Sequence, residues 1–290
     1  MDVGLHIADF TWPGGPAKLG PDLRDLAVAA EQGGFTKISV MDHVWQIGPM
    51  GPVTNDMLEA YTALGYLAAV TEKVDLLAWV TAVSYRDPGL LAKCVTTLDV
   101  LSGGRAWLGI GAAWNSEESE GLGLFFPSTA ERFERLEETL QICLQMWSDS
   151  EEPFQGKHYQ LGRTLNSPQS ISRPHPPILI GGSGERKTLR MVAQYADACN
   201  LFGGPGVARK LDVLRGHCEE IGRDYDSITK TVMQMLDLGP NGERVDQVVD
   251  EVAGLVELGV THIHTGVIDD IPLRYVSVAA EKLIPVLADL

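Results

Sequence analysis

Val74-Asp75-Leu76-Leu77-Ala78-Trp79-Val80 is followed, after a short turn, by Pro88-Gly89-Leu90-Leu91-Ala92-Lys93-Cys94-Val95-Thr96-Thr97-Leu98-Asp99-Val100-Leu101 and then by Ala106-Trp107-Leu108-Gly109-Ile110. The first and last pieces are near-continuous apolar runs of strand length, as expected of parallel strands buried on both faces. The middle piece carries a helical pattern, with Pro88 placed for its first turn. Strand, helix and strand in this order make one βα unit. Working outward, the same unit recurs along the chain. Further strands are expected at 3–7, 37–41, 178–181, 198–202, 229–236 and 261–266. Further helices are expected at 22–32, 55–71, 130–147, 185–194, 207–221, 245–257 and 273–288. Gly33-Gly34 and Gly222 end helices, and Ser128 with Glu131 has capping-box spacing. Eight units predict an α/β fold, a single (β/α)8 TIM barrel spanning residues 1–290, rather than a doubly wound sheet. Two stretches exceed ordinary loops: 112–127, after strand four, and 148–177, between helix four and strand five. The second holds a short hairpin at 154–159. Insertions of this length are commonly functional or lid-like.

The chain has 290 residues, 44% hydrophobic and 21% charged, enough for a sizeable core. Lys plus Arg number 23 against 39 Asp plus Glu, a net charge of −16. Such a balance repels nucleic-acid backbones and anionic membranes and favours a small-molecule partner. The four cysteines form no Cys-x-x-Cys pair, and no apolar run reaches membrane-spanning length. A cytoplasmic protein is expected.

Barrel active sites form at the C-terminal ends of the strands. Asp42-His43 follows strand two, where an imidazole can move protons near neutral pH; a histidine there can also simply fill a loop. Gly181-Gly182-Ser183-Gly184 follows strand five and leads into the expected helix, a turn whose amides can converge on a phosphate. Gly109-Ile110-Gly111-Ala112-Ala113-Trp114 lacks the third glycine of a dinucleotide fingerprint, and no helix is expected directly after it, so a Rossmann reading is rejected. Trp114 and Asn115 are expected to line the mouth. His262 and His264 share one face of strand eight, with His6 and Asp9 as conceivable partners, but no third metal ligand stands out by spacing. They are read as structural, and no metal site is assigned. Lys37, Lys73 and Lys230 fall at strand starts, away from the mouth, and no Gly-x-Ser-x-Gly elbow occurs.

The chain resembles the luciferase-like superfamily of flavin- and deazaflavin-dependent oxidoreductases, and within it the actinobacterial branch that uses coenzyme F420. The resemblance is carried by Tyr85–Lys93, Thr97–Arg105, Leu108–Asn115, Phe126-Pro127, Arg132-Phe133, Pro176–Gly182 and Tyr195–Asn200. It implies a ring lying across the barrel mouth, with Asp42 at its edge and His43 as proton donor or acceptor. Gly181, Gly182 and Ser183 would form the phosphate turn. Trp79 and Val80 would back the ring through a non-prolyl cis peptide, and Trp114 and Asn115 would line the substrate side. The implied function is F420-dependent hydride transfer between the deazaflavin C5 and a small organic substrate. The alternatives are an FMN-dependent luciferase-like monooxygenase and a non-catalytic cofactor-binding barrel. Three departures stand out: Leu76-Leu77-Ala78 replaces the family's Leu-Gly-Thr, Trp114 stands where sugar-phosphate dehydrogenase members place an acidic catalytic residue, which argues against their substrate, and the turn at 237–242 is short. The acidic coenzyme tail calls for a local basic rim, for which Arg163, Arg173, Arg186 and Lys187 are the candidates. The resemblance also implies a homodimer.

Overall fold

A computed structural model describes residues 1–269 and 271–290. In chain order the elements are β1 (Asp2–Ile7), α1 (Pro16–Gln32), β2 (Lys37–Val40), α2 (Ala60–Val70), β3 (Asp75–Ala78), β4 (Thr81–Ala82), α3 (Pro88–Ser102), β5 (Leu108–Gly111), α4 (Ser116–Gly121) and α5 (Thr129–Met146). There follow β6 (Phe154–Gln155), β7 (Gln160–Leu161), β8 (Ile178–Gly181), α6 (Thr188–Tyr195), β9 (Ala198–Phe202), α7 (Val207–Ile221), β10 (Thr229–Met233), α8 (Val245–Glu257), β11 (His262–Gly266), α9 (Pro272–Val278) and α10 (Ile284–Leu287). Nine strands form one parallel sheet in the order β3-β2-β1-β11-β10-β9-β8-β5-β4. The Leu76 amide donates to Arg105 O at 2.8 Å and the Trp107 amide to Leu76 O at 3.0 Å, which joins β3 to the approach of β5 and closes a TIM barrel. β3 and β4 are the two halves of one barrel strand, interrupted at Trp79–Val80, whose peptide is cis as the resemblance implies. The unbroken strand expected over 74–80 is therefore two pieces: β3 pairs with β2, and β4 pairs with β5 alone.

Several boundaries differ from expectation for identifiable reasons. α1 starts at Pro16 and contains Pro21, which is exposed, so the Ala17 carbonyl that loses its partner meets water. α2 starts five residues later than expected because Glu59 caps it, its carboxylate accepting from the Tyr61 amide at 3.2 Å and the Thr62 amide at 2.7 Å. Ser128 caps α5 through the Glu131 amide at 3.3 Å, but the Glu131 carboxylate turns to Arg135 and leaves the capping box half formed. The helix expected from 185 begins at Thr188. The last helix widens into a π turn over Ala279–Leu283, ahead of Pro285, which has no amide hydrogen to give back to the preceding turn.

The 148–177 insertion connects the end of α5 to the start of β8 and packs along the outside of the helix layer, its hairpin reaching Glu131 and Glu134 near the start of α5 and its last part meeting Asp99 near the end of α3. Its hairpin pairs Phe154 with Leu161, and Glu138 of α5 accepts the amides of Lys157, His158 and Tyr159. It is a brace on α5 and no lid over the mouth. Arg163 and Arg173 belong to this insertion and are removed from the basic rim. Arg163 pairs with Glu151, and Arg173 donates to backbone carbonyls of its own loop.

The barrel bore carries a column of polar side chains beside a buried apolar cluster of Leu77, Trp79, Leu179 and Ala198. At the N-terminal end Lys37 pairs with Asp75 and lies 4.0 Å from the Trp107 ring centroid, while Trp107 Nε1 donates to Asp75 at 3.0 Å. Above them His262 lies 5.1 Å, centroid to centroid, from His264. The His264 Nδ1 is 3.4 Å from Ser39 Oγ, which shares a 2.9 Å hydrogen bond with His6 Nδ1. The two strand-eight histidines are thus interior to the barrel, and His6 joins their column through Ser39. Asp9 does not join it, being held by Asn55 and the Thr11 amide. No helix among the described residues is long and apolar enough to cross a membrane.

Candidate active site

A cavity of about 820 Å³ opens at the C-terminal ends of the strands. His6, Asp42, His43, Trp79, Val80, Trp114, Asn115, Gly181 and Gly182 all line it, so all the sequence-derived site residues except Ser183 reach its wall. Ser183 sits in the turn just beyond.

His43 leaves the end of β2 with its imidazole edge-on to Trp114, ring centroids 5.7 Å apart. Its Nδ1 is hydrogen-bonded to Glu118, a residue that the sequence reading passed over. The second Glu118 oxygen accepts the amides of Val44 at 2.9 Å and Trp45 at 3.3 Å, so this carboxylate, fully buried, also shapes the loop that carries the histidine. Burial opposes ionisation of Glu118, but hydrogen bonding from His43, with Tyr85 and the Val44 amide adding to it, leaves the carboxyl below its ordinary range. Burial, with Glu118 beside it, pushes the Tyr85 phenol up. With Nδ1 engaged, Nε2 is the nitrogen of His43 left for chemistry in the cavity.

Glu118 reaches His43 because part of the 112–127 stretch is helical. Asn115 caps α4 by accepting the Glu117 amide at 3.1 Å, and Glu118 falls in the first turn. Gly121 lets α4 approach closely: a Cβ there would lie 2.2 Å from the Trp45 ring. Arg132 fastens both ends of the insertion, donating to Ala112 O at 2.9 Å and to Pro127 O at 2.6 Å. The helix also corrects one ground for rejecting a dinucleotide fingerprint at 109–114. One does start directly after it, and what excludes the Rossmann reading is the closed barrel itself.

Asp42 is committed to the protein. Arg86 holds it from two sides, Nη1 to Oδ2 at 2.8 Å and Nη2 to Oδ1 at 2.9 Å, and the Ala82 amide donates to Oδ2 at 3.0 Å. Arg86 lies over the Tyr61 ring and also pairs with Glu59, linking the ends of β2, β4 and α2 beneath the mouth. Trp79 stacks on His264 with 3.6 Å between centroids. Trp79 Nε1, His262 Nε2 and His264 Nε2 are buried without a hydrogen-bond partner among the described residues. Burial, with His43 nearby, pushes His6 down to about 4, and burial among His262, His6 and Lys37 holds His264 well below its ordinary value. These bore imidazoles are therefore neutral at pH 7.

The Gly181–Gly184 turn has the character a phosphate needs. Gly182 takes a φ of +118°, which favours glycine. The Ser183 and Gly184 amides have no acceptor among the described residues. Arg186 and Lys187 are exposed immediately after the turn with no carboxylate within ion-pair distance among the described residues. The site therefore fits an anionic cofactor group despite the net charge of −16. No group of three or more His, Cys, Asp or Glu side chains that could hold a metal occurs among the described residues.

Residues 1–256 match the model of a family described as luciferase-like monooxygenase. An F420-dependent glucose-6-phosphate dehydrogenase of Nakamurella multipartita is 32% identical over 237 residues, covering 78% of this chain and 66% of that protein's length. The crystal structure of the monooxygenase RslO1 from Streptomyces bottropensis superposes with a TM-score of 0.82 at 19% identity, covering 98% of this chain and 99% of that one. An F420-dependent secondary alcohol dehydrogenase in complex with an F420-acetone adduct superposes with a TM-score of 0.82 at 17% identity, covering 99% and 98% of the two chains.

Proposed function

Since the chain belongs to the luciferase-like monooxygenase family, we propose that it is an oxidoreductase that binds coenzyme F420 and transfers a hydride between the deazaflavin C5 and a small organic substrate. The observation that carries this reading is His43, held from behind by buried Glu118, in the wall of the same cavity that Gly181 and Gly182 line. The bound deazaflavin would supply a two-electron hydride centre. The amides of Ser183 and Gly184, with Arg186 and Lys187, would hold its phosphate and acidic tail. Trp79 and Val80 would back the ring, and Asp42 would act as the fixed partner of Arg86 at its edge.

His43 does the proton work. In substrate reduction, Nε2 gives a proton to the atom that becomes electron-rich, and Glu118 stabilises the imidazolium that precedes the transfer. In substrate oxidation the same nitrogen accepts the proton. Trp114 and Asn115, in the wall of the same cavity, would line the substrate side.

FMN-dependent monooxygenation is the second reading, favoured by the likeness to RslO1 in fold. The connection after β10 speaks against it: the short turn at 239–242 is held by Asp237 and Glu243 and gives no residue to the cavity lining among the described residues. Anaerobic turnover of reduced F420 with carbonyl and conjugated alkene acceptors tests the proposal, run beside oxygen uptake with FMN and a flavin reductase. Anaerobic turnover that is lost in His43→Gln supports hydride transfer. Oxygen uptake coupled to substrate, without anaerobic turnover, replaces it with monooxygenation. Cofactor binding with no His43-dependent turnover in either assay leaves a non-catalytic barrel.

A further inference from the structure

The cavity beside His43 has a second property. Neither lysine nor arginine contributes to its lining among the described residues. The ends of β9 and β10 and the loop after β2 give it thioether and aromatic walls instead, through Met50, Phe202, Met233 and Met235, with Trp114 from the β5–α4 connection. Three of these stand well out of the protein: Phe202 is 66% exposed, Trp114 61% and Met235 44%. Large apolar side chains gathered at one cavity mark a surface that an apolar molecule covers, and unbranched methionines adapt their shape to it.

The polar side chains in the wall are largely spoken for. Asp42 is held by Arg86, and Asn115 caps α4. Asn200 Oδ1 lies 3.3 Å from Thr231 Oγ1, and Gln234 Nε2 is 3.4 Å from Glu251. Tyr85 is hydrogen-bonded to Glu118 and His6 to Ser39, which leaves the second nitrogen of His43 as the donor for a reacting atom. A phosphorylated sugar would enter this wall without a cation for its phosphate and with few partners for its hydroxyls, each desolvated at a cost.

We infer that the substrate is an uncharged, predominantly apolar molecule with a single polarised C=O, C=N or conjugated C=C group, or the corresponding reduced compound, and that Phe202, Met233 and Met235 set this preference. The inference rests on the hydride-transfer reading for the reactive group, but the apolar wall is a feature of the protein alone.

Calorimetric titration tests it with acetophenone and with glucose 6-phosphate as probes, each added to the protein alone and to protein saturated with F420. Acetophenone is expected to bind saturably, at least tenfold more tightly than glucose 6-phosphate, and to weaken at least tenfold in Met235→Lys and in Phe202→Arg. A melting temperature near that of the parent chain shows that the variants are folded. Glucose 6-phosphate binding as tightly as the ketone, or no saturable ketone binding, overturns the inference. If F420 does not bind while acetophenone still saturates the protein alone and is lost in Met235→Lys, the apolar specificity stands and the hydride-transfer reading falls.

Discussion

His43 and Glu118 stand 75 residues apart in the chain and share a hydrogen bond between imidazole Nδ1 and a carboxylate buried from solvent. This pair fixes which imidazole nitrogen faces the cavity, and the carboxylate also holds the Val44 and Trp45 amides of the histidine's own loop. Glu118 is a positioning residue, acting on substrate only through His43.

Glu118→Gln keeps the shape and an acceptor for the loop amides but removes the charge that favours the imidazolium. Turnover should fall by roughly 10- to 100-fold with KM and cofactor affinity nearly unchanged, and the pH profile of kcat should shift. Steady-state kinetics across pH check this. An unchanged kcat and profile would show that the pair is only a loop brace.

Arg86→Ala would leave Asp42 buried without its cation. The loss in unfolding free energy should be about 3 kcal/mol or more, read by urea denaturation. Arg86→Lys should recover only part of it, because a single ammonium cannot make both contacts to the carboxylate. Full stability in Arg86→Ala would contradict the role given to this pair beneath the mouth.

The histidine column gives a pH signature. His6 is pushed down to about 4 by burial and by His43 nearby, while the unfolded chain titrates near the ordinary value of 6.5. Between those values the unfolded state binds more protons, so stability is full above about pH 6.5, is lost as pH falls toward 4, and is flat for this group below that. From pH 7 to pH 5 His6 alone should cost about 2 kcal/mol, and His264 acts in the same direction. Urea titrations at both pH values should show a shallower fall in His6→Asn. An identical fall would remove His6 as the cause.

The basic edge of the phosphate turn should separate the two cofactors. Arg186→Glu combined with Lys187→Glu is expected to weaken F420 by about tenfold, and FMN by much less, because FMN lacks the acidic tail. The F420 effect should shrink at high salt. Equal losses for both cofactors would place the tail elsewhere.

The barrel was legible because strands buried on both faces must be apolar throughout, and eight such runs each preceded a helical pattern. His43 and the Gly181–Ser183 turn were legible because they directly follow strands. Glu118 was not: it sits in Ser116-Glu117-Glu118-Ser119-Glu120, which reads as a solvated acidic run, and nothing local tells which carboxylate turns inward. The Asn115 cap with two acids behind it signals a helix start, but no signal names a partner 75 residues away. Arg86 lay inside a matched motif without a role, since its worth comes from Asp42, 44 residues earlier. Phe202, Met233 and Met235 fall at the ends of strands that the sequence predicts, and only closure of the barrel brings them to one cavity.

The central claim is that the Gly181–Ser183 turn and its basic edge serve a deazaflavin. Equilibrium fluorescence titration of the purified protein with oxidised F420 and, separately, with FMN, repeated with Gly182→Ala, tests it most directly. Micromolar or tighter F420 binding is expected, with weaker FMN binding and a loss of F420 affinity in Gly182→Ala, since the φ of +118° at this position disfavours a side chain. FMN binding more tightly than F420, or neither binding, would contradict it.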